Sequence, residues 1–237
     1  MRLHRFFEAF FSPHAFRQVF PDVWNGFQTN IRMMVIAELL VLAFALGIAV
    51  VRGLPGRGAW PLRALAVVYT DAFRGTPLIL VAYMLALGLP GLNIHGISDR
   101  STFFYGVWAL TLVYTAYVTE VYRAGIESVH GSQRMAARSL GLSYAQALRY
   151  VVLPQAVRRV IPPLLNDFVG LQKDTAIISV AGVTEATIQA TNFSSSYFNF
   201  TGFVVAGVLF IFLTIPLARF TDHLIREREL RERAQAV

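Results

Sequence analysis

Apolar residues are gathered along this chain into long blocks that are separated by shorter polar stretches. Three blocks are almost uninterrupted and cover residues 31–51, 103–121 and 202–220. A helix needs about 20 apolar residues to cross the hydrocarbon core of a bilayer. The pattern therefore predicts three membrane-spanning helices at these positions.

Two further apolar blocks are irregular. Residues 77–89 are short for a span, and residues 160–183 are interrupted by polar side chains. The interruptions are Asn166, Asp167, Lys173 and Asp174. Irregular or polar segments at membrane depth are tolerated only where protein or a water-filled cavity surrounds them. With both blocks counted as spans, the sequence predicts an all-α membrane protein with about five core spanning helices.

The N-terminal segment, residues 1–23, lacks the uninterrupted apolar core of a signal peptide. Its phenylalanines Phe6, Phe7, Phe10 and Phe11 recur at helical spacing. This spacing predicts an amphipathic lead-in helix that lies at the membrane surface, with a frayed tail as the alternative.

The composition agrees with a membrane protein, since 55% of the residues are hydrophobic and only 15% are charged. The chain contains no cysteine, which excludes disulfides, thiolate nucleophiles and cysteine-based metal sites. Its histidines show no pair at metal-ligand spacing, and no serine lies in a glycine-flanked nucleophile turn. The sequence thus predicts no catalytic residue and no metal site.

The net charge of +7 comes almost wholly from arginine. In so apolar a chain, this charge indicates contact with lipid head groups rather than with nucleic acid. Arginines crowd residues 123–159 and 219–233, and cytoplasmic segments are the ones enriched in arginine. Both segments are therefore predicted to be cytoplasmic and the N-terminus external, although Arg2, Arg5 and Arg17 do not fit an external N-terminus.

Residues 130–154 are far more polar than their surroundings and are predicted to form a helical hairpin. Good helix formers precede Gly141, the residue that most easily takes the left-handed conformation at a helix end. Ser143 and Gln146 have capping-box spacing, which predicts a second short helix. Leu153 and Pro154 are predicted to end it, because proline breaks the backbone ladder. Such a hairpin suits docking into a groove of a soluble partner, or else packs under the bundle.

The hairpin resembles a known motif. Met135, Ala136 and Ala137, then Gly141, then Leu153 and Pro154, are similar in order and spacing to the coupling loop of permease subunits of bacterial ATP-binding-cassette importers. In that family the loop inserts into a cleft of the ATP-hydrolysing subunit. The usual glutamate of the motif is Met135 here, which puts its ion pair with the ATPase in doubt.

The resemblance extends over nearly the whole chain and narrows to the branch that takes up polar and charged amino acids. The segments that carry it are residues 74–78, 117–126, 153–156, 162–164 and 173–176. The departures from the branch pattern are Val81, Arg134 and Asp167.

The resemblance implies a single permease domain over residues 1–237 with the type I ABC importer fold, in the bacterial inner membrane. The lead-in would be residues 1–23, the coupling loop residues 130–154 and a cytoplasmic basic tail residues 221–237. Implied partners are two copies of an ATPase, a second copy of this chain or a related permease, and an extracytoplasmic amino-acid-binding protein. The chain has no phosphate-cradling glycine loop, so ATP and Mg would be bound by the ATPase. An ion-gradient-driven amino-acid carrier is the alternative function.

A polar stripe along the block at residues 160–183 is the candidate substrate path. Asn166, Gly170 and Asp174 recur every four residues on one helical face, and Asp167 and Lys173 flank them. These groups could meet the ammonium and carboxylate of an amino acid, or Lys173 and Asp174 could form a structural pair.

Glu38 is a further candidate in the first span, because an ionisable group at membrane depth is costly without a partner. It could line the path, or pair across a dimer or with an arginine that the sequence does not identify. The acidic residues favour polar or basic amino acids as the substrate.

Overall fold

The computed structural model describes residues 2–54 and 56–235, and these residues are mostly helical. The helices are α1 (Arg2–Phe11), α2 (Pro13–Arg52), α3 (Trp60–Gly75), α4 (Leu78–Tyr83), α5 (Thr102–Glu127), α6 (Gly131–Ser139), α7 (Tyr144–Ala147), α8 (Leu153–Asp174), α9 (Ala186–Tyr197) and α10 (Thr201–Gln235). Single π-helical turns cover Met84–Gly88 and Leu148–Val152, and 3₁₀ turns cover Pro90–Leu92 and Thr175–Ala181. The predicted all-α fold is confirmed.

Helix α2 begins at Pro13, inside the segment of residues 1–23 that was predicted to form the lead-in helix. Ser12 separates it from α1 and accepts a hydrogen bond from Ala15 N through its side chain. Val19 and Val23 are buried against α9 and α10, so residues 13–23 belong to the bundle. The lead-in is therefore only α1, and its predicted end at residue 23 was wrong because a capped, buried face continues the helix. The 40 residues of α2 extend about 60 Å.

Helix α1 is attached to the turn between α9 and α10, which excludes the frayed tail. Phe200 N donates to Ala9 O over 2.7 Å, and Phe10 stacks on Phe200 with ring centroids 5.2 Å apart. Phe6, Phe7 and Phe11 are exposed, as an amphipathic surface helix requires.

The centre of the bundle is formed by α2 and α5, which run in the same direction. At one end Gly106 lies against Met33, and at the other Arg52 contacts Glu120. We refer to these as the Ser101 end and the Arg52 end of the bundle, after the residues at the limits of α5 and α2. Both helices coincide with predicted spans at residues 31–51 and 103–121.

The second predicted span is sharply bent at its entry. The α3 axis meets that of residues 78–92 at 104°, with Thr76 and Pro77 at the break. Pro77 has no N–H and disfavours helix at the residue before it, which ends α3 there. On length and apolarity alone, Leu3–Arg52 and Thr201–Glu227 qualify as spans within the described chain, and the bent pair would add a third.

The fourth predicted span consists of α8 and the 3₁₀ turn that follows it. Leu153 and Pro154 are the first two residues of α8, whereas the sequence predicted that they end the helix before it. The prediction that these two residues end the hairpin was wrong, because proline is tolerated in the first turn of a helix. Gln155 Nε2 donates to Val151 O over 3.0 Å, satisfying a carbonyl of the π turn.

The predicted basic tail, residues 221–237, continues α10 as helix to Gln235. The side chains of Arg228, Arg231 and Arg233, and the last two residues, lie outside the described part of the chain. At the other end of α10, Gly202 packs closely on α9, since a Cβ on Gly202 would lie 3.1 Å from Ala190 Cα.

Candidate functional site

The hairpin between α5 and α8 turns at Gly141 as predicted. Gly141 has φ +86°, Leu142 N donates to Ala137 O over 3.2 Å, and Gly141 N donates to Arg138 O over 3.0 Å. This pair of bonds is a Schellman motif, which closes α6 and requires a residue that tolerates positive φ. A residue with a Cβ at position 141 would be strained at this φ.

The second arm of the hairpin begins with the predicted capping box. Ser143 N donates to Gln146 Oε1 over 2.8 Å, and Gln146 N donates to Ser143 Oγ over 3.2 Å. From Tyr144 the chain then stays helical through the π turn and into α8. The second arm of the hairpin is therefore continuous with the helix that carries the polar stripe.

The apolar side chains of the hairpin divide into a buried set and an exposed set. Ala137 is buried, whereas Met135, Leu140 and Tyr144 are 66%, 85% and 61% exposed. Ala136 is exposed beside them, and Leu153 and Pro154 lie at the start of α8. Exposed apolar side chains grouped on a polar hairpin are a candidate protein contact surface.

A network of charges joins three helices at the Arg52 end. Arg52 Nη1 donates to Glu120 Oε2 over 2.9 Å and to Thr70 Oγ1 over 3.3 Å. Arg123 Nε donates to the other Glu120 oxygen over 2.7 Å, and Arg123 also pairs with Glu127. Arg52 lies 68 positions away from Glu120 in the sequence, so only the tertiary structure brings the two together.

A cavity of about 430 Å³ opens beside this network. Its lining includes groups of both signs: Arg74, Glu120, Arg159 and Asp167. The Arg74 guanidinium lies 5.9 Å from the Tyr117 ring centroid, and Arg159 donates to Ser128 O. The cavity can thus offer both cations and carboxylates to a zwitterionic ligand.

Of the predicted path residues, Asp167 alone is among the residues that line this cavity. Its Oδ2 is buried and has no hydrogen-bond partner among the described residues. Glu38, on α2, is half-buried and close enough to interact electrostatically with Asp167. Among the described residues, no arginine forms an ion pair with Glu38.

Two residues of the stripe, Gly170 and Asp174, are covered by Tyr114 of α5. The Tyr114 hydroxyl donates to Asp174 Oδ2 over 2.8 Å, and a Cβ on Gly170 would lie 3.1 Å from the Tyr114 hydroxyl oxygen. Gly170 and Asp174 therefore lie in a packed contact between α5 and α8. The prediction that the whole stripe lines an open path was wrong at these two residues. Tyr114 was missed because only the tertiary structure brings it to α8.

The other two path residues face outward. Asn166 and Lys173 are exposed, and Lys173 forms no ion pair within the described residues. Asp174 is bound by a tyrosine, so the predicted alternative of a Lys173–Asp174 pair is not present. No cluster of metal-ligating side chains occurs in residues 2–54 and 56–235.

A buried polar cluster fixes the segment that follows α8. Asn30 Nδ2 donates to Thr175 Oγ1 over 3.1 Å and to Glu185 Oε2 over 3.0 Å, and Asn30 Oδ1 accepts from Ala186 N over 3.1 Å. Glu185 also caps α9 by accepting from Ile188 N over 2.7 Å. These groups are buried and mutually satisfied, so the cluster stabilises the fold.

Comparison with known proteins identifies similar chains. Residues 45–229 match the family model described as binding-protein-dependent transport system inner membrane component. The probable glutamine ABC transporter permease protein GlnM of Bacillus subtilis is 36% identical, over 86% of this chain and 92% of its own length. The arginine transport system permease protein ArtQ of the same organism is 29% identical, over 83% and 88%. A solved amino acid ABC transporter with histidines superposes with a TM-score of 0.81 at 30% identity, over 89% of this chain and 95% of that chain.

Proposed function

Because this chain belongs to the family of binding-protein-dependent transport system inner membrane components, we propose that it is the permease subunit of an ATP-driven importer of L-amino acids. It is a membrane protein with the type I importer fold. The exposed apolar tip of the hairpin is the observation that carries the proposal. Such a tip needs a soluble partner, and an ATPase subunit is the partner that import requires.

The coupling residues in this proposal are Met135, Ala136, Ala137 and Gly141, which shape the hairpin tip. Leu153 and Pro154 start α8 directly behind the hairpin and pass its movement to the membrane segment. Met135 stands where the family has a glutamate. Its exposed side chain would make an apolar contact with the ATPase in place of the ion pair of that glutamate. ATP and Mg are bound by the ATPase, and this chain is not itself an enzyme.

The assembly in this proposal contains two ATPase copies, a second permease copy or a related permease, and an extracytoplasmic amino-acid-binding protein. The single permease domain, residues 1–237, lies with the hairpin, the Arg52 end and the tail in the cytoplasm. The Ser101 end and α1 then lie at the external surface, which agrees with the arginine enrichment of the hairpin and the tail.

Purification of the tagged full chain from its native membrane in mild detergent tests the assembly. A soluble ATPase that co-purifies with the chain and hydrolyses ATP supports the proposal. A chain that purifies alone, without ATP hydrolysis, contradicts it.

The 430 Å³ cavity is the proposed inward-facing substrate site, and its charges support a basic or polar amino acid. The carboxylate of Asp167, which lines the cavity, would accept hydrogen bonds from an ammonium or guanidinium, with the Glu38 carboxylate nearby. Arg74 and Arg159 would meet the carboxylate of the substrate. Tyr114, Gly170 and Asp174 would separate this site from the external surface in the present conformation.

Replacing Asp167 by asparagine is expected to reduce uptake of arginine or lysine at least 10-fold, because a charge-assisted hydrogen bond is worth about 1.5 kcal/mol or more. Initial uptake rates in proteoliposomes that contain the full complex measure this effect. Asp71→Asn is the control, since Asp71 is exposed and does not line the cavity.

One result would contradict the assignment of basic substrates. If acidic amino acids competed for uptake and basic ones did not, with the unmodified protein, Asp167 would not contact the substrate side chain. Uptake of any amino acid would still support the importer.

A further inference from the structure

A second cavity, of about 530 Å³, lies between α2 and α5 at the Ser101 end, on the opposite side of the membrane from the proposed substrate site. Its walls are apolar and include Ile36, Leu40 and Trp108. Asp99, Arg100 and Ser101, the polar residues at the start of α5, also line it, and we call this polar end its mouth. The cavity thus combines an apolar interior with a charged entrance.

Arg100 holds its guanidinium at this mouth without an ion pair. Its Nε donates to Gly96 O over 2.8 Å, and the guanidinium lies 5.6 Å from the Phe104 ring centroid. Within the described residues no carboxylate pairs with Arg100 and no acceptor takes its terminal nitrogens. A fixed arginine fork with free terminal N–H groups matches the oxygens of a phosphate.

The start of α5 adds a second feature that favours an anion at the mouth. Ser101 Oγ accepts from Phe104 N over 3.3 Å, which leaves the N–H groups of Thr102 and Phe103 without acceptors in the helix. The positive end of the 26-residue helix dipole adds to the Arg100 charge. Arg100 and the helix end therefore favour the same negatively charged, oxygen-rich group, against the opposing charge of the Asp99 carboxylate in the same lining.

The position along the membrane identifies the source of that group. Ser101 and Glu120 are separated by about 28 Å along α5, close to the thickness of the hydrocarbon core. The mouth consequently lies at the level of the lipid head groups, and the apolar walls lie at the level of the acyl chains. Val35 and Leu39 of α2 are exposed beside the cavity, as in a surface that contacts lipid.

We propose that this cavity binds a phospholipid, with its phosphate on Arg100 and the start of α5 and the upper part of an acyl chain beside Trp108. Trp108 stacks on Phe44 at 5.9 Å between centroids, which makes a flat wall for that chain. A second protein could cover the walls, but it would have to supply an anion for Arg100, whereas every phospholipid carries one. The site is separate from the substrate cavity and does not depend on which amino acid is transported.

Quenching of Trp108 fluorescence by lipids with brominated acyl chains tests the site. The full chain with Trp24→Phe and Trp60→Phe keeps Trp108 as its single tryptophan. In maltoside micelles, brominated phosphatidylglycerol is expected to quench Trp108 at an about 10-fold lower lipid-to-protein ratio than brominated diacylglycerol, which lacks the phosphate. Arg100→Gln should remove this difference, and Arg100→Lys should keep part of it.

The control is Arg32→Gln, because Arg32 is an exposed arginine of α2 that does not line the cavity. It should leave the difference between the two lipids unchanged. Equal quenching by both lipids, or no effect of Arg100→Gln, would overturn the proposal, and so would the absence of quenching, which would mean that protein covers Trp108. Displacement of the lipid by millimolar inorganic phosphate would show a simple anion site and would overturn it as well.

Discussion

Replacing Leu140 by glutamate is expected to separate the permease from its ATPase and to abolish ATP-driven uptake. Leu140 is 85% exposed at the tip of the hairpin, so its side chain can enter a groove on the ATPase without any rearrangement. Burying a leucine is worth about 2 kcal/mol, and a carboxylate in the same groove adds a desolvation cost. The affinity for the ATPase should therefore fall roughly 100-fold or more. Co-purification of the ATPase with the tagged chain measures the loss.

A matched control separates the loss of apolar contact from the change of charge. Gln133→Glu adds the same charge on the exposed surface of α6 but removes no apolar side chain, so the ATPase should remain bound. Leu140→Met should also retain the ATPase, because methionine keeps the apolar contact. If Leu140→Glu bound the ATPase as well as the unmodified chain does, the hairpin would not be the docking element.

Replacing Gly26 by alanine is expected to destabilise the whole bundle. A Cβ at this position would lie 2.5 Å from Glu185 C and 2.6 Å from Ala186 N, both backbone atoms that cannot rotate away. Helix α2 would have to move away from the start of α9. That displacement would stretch the hydrogen bonds of Asn30, one turn further along the same face of α2.

Overpacking and weakened buried hydrogen bonds together should cost roughly 3–5 kcal/mol. The thermal unfolding midpoint of the detergent-solubilised chain should then fall by about 10 °C. Gly47→Ala in the same helix is the control, since a Cβ there would meet no atom within 4 Å. It should leave the midpoint unchanged or raise it slightly. An equal midpoint for both variants would show that α2 and α9 do not pack as closely as described.

Local features of the chain could be predicted from the sequence because they depend on neighbouring residues. The apolar blocks located the helices of the bundle, and Gly141 and the Ser143–Gln146 pair defined the hairpin through positive φ and reciprocal capping. These signals act over six residues or fewer, so one sequence is enough to find them.

Features that depend on tertiary contacts could not be predicted. The bonds from Tyr114 to Asp174 and from Arg52 to Glu120 join residues 60 and 68 positions apart. These contacts determine which polar groups of α8 are covered and which are accessible. Of the predicted path residues, only Asp167 lines the cavity. Pro154 shows a different ambiguity, because a proline can end one helix or lie in the first turn of the next.

The central claim is that this chain moves an amino acid across the membrane when its hairpin partner hydrolyses ATP. The most direct test is uptake of radiolabelled amino acids into proteoliposomes that contain the purified complex, with ATP and Mg on the hairpin side and the binding protein on the other. The proposal predicts uptake that requires ATP and is lost with Leu140→Glu. Uptake that proceeds without ATP and follows an imposed proton or sodium gradient would contradict it and would identify a secondary carrier.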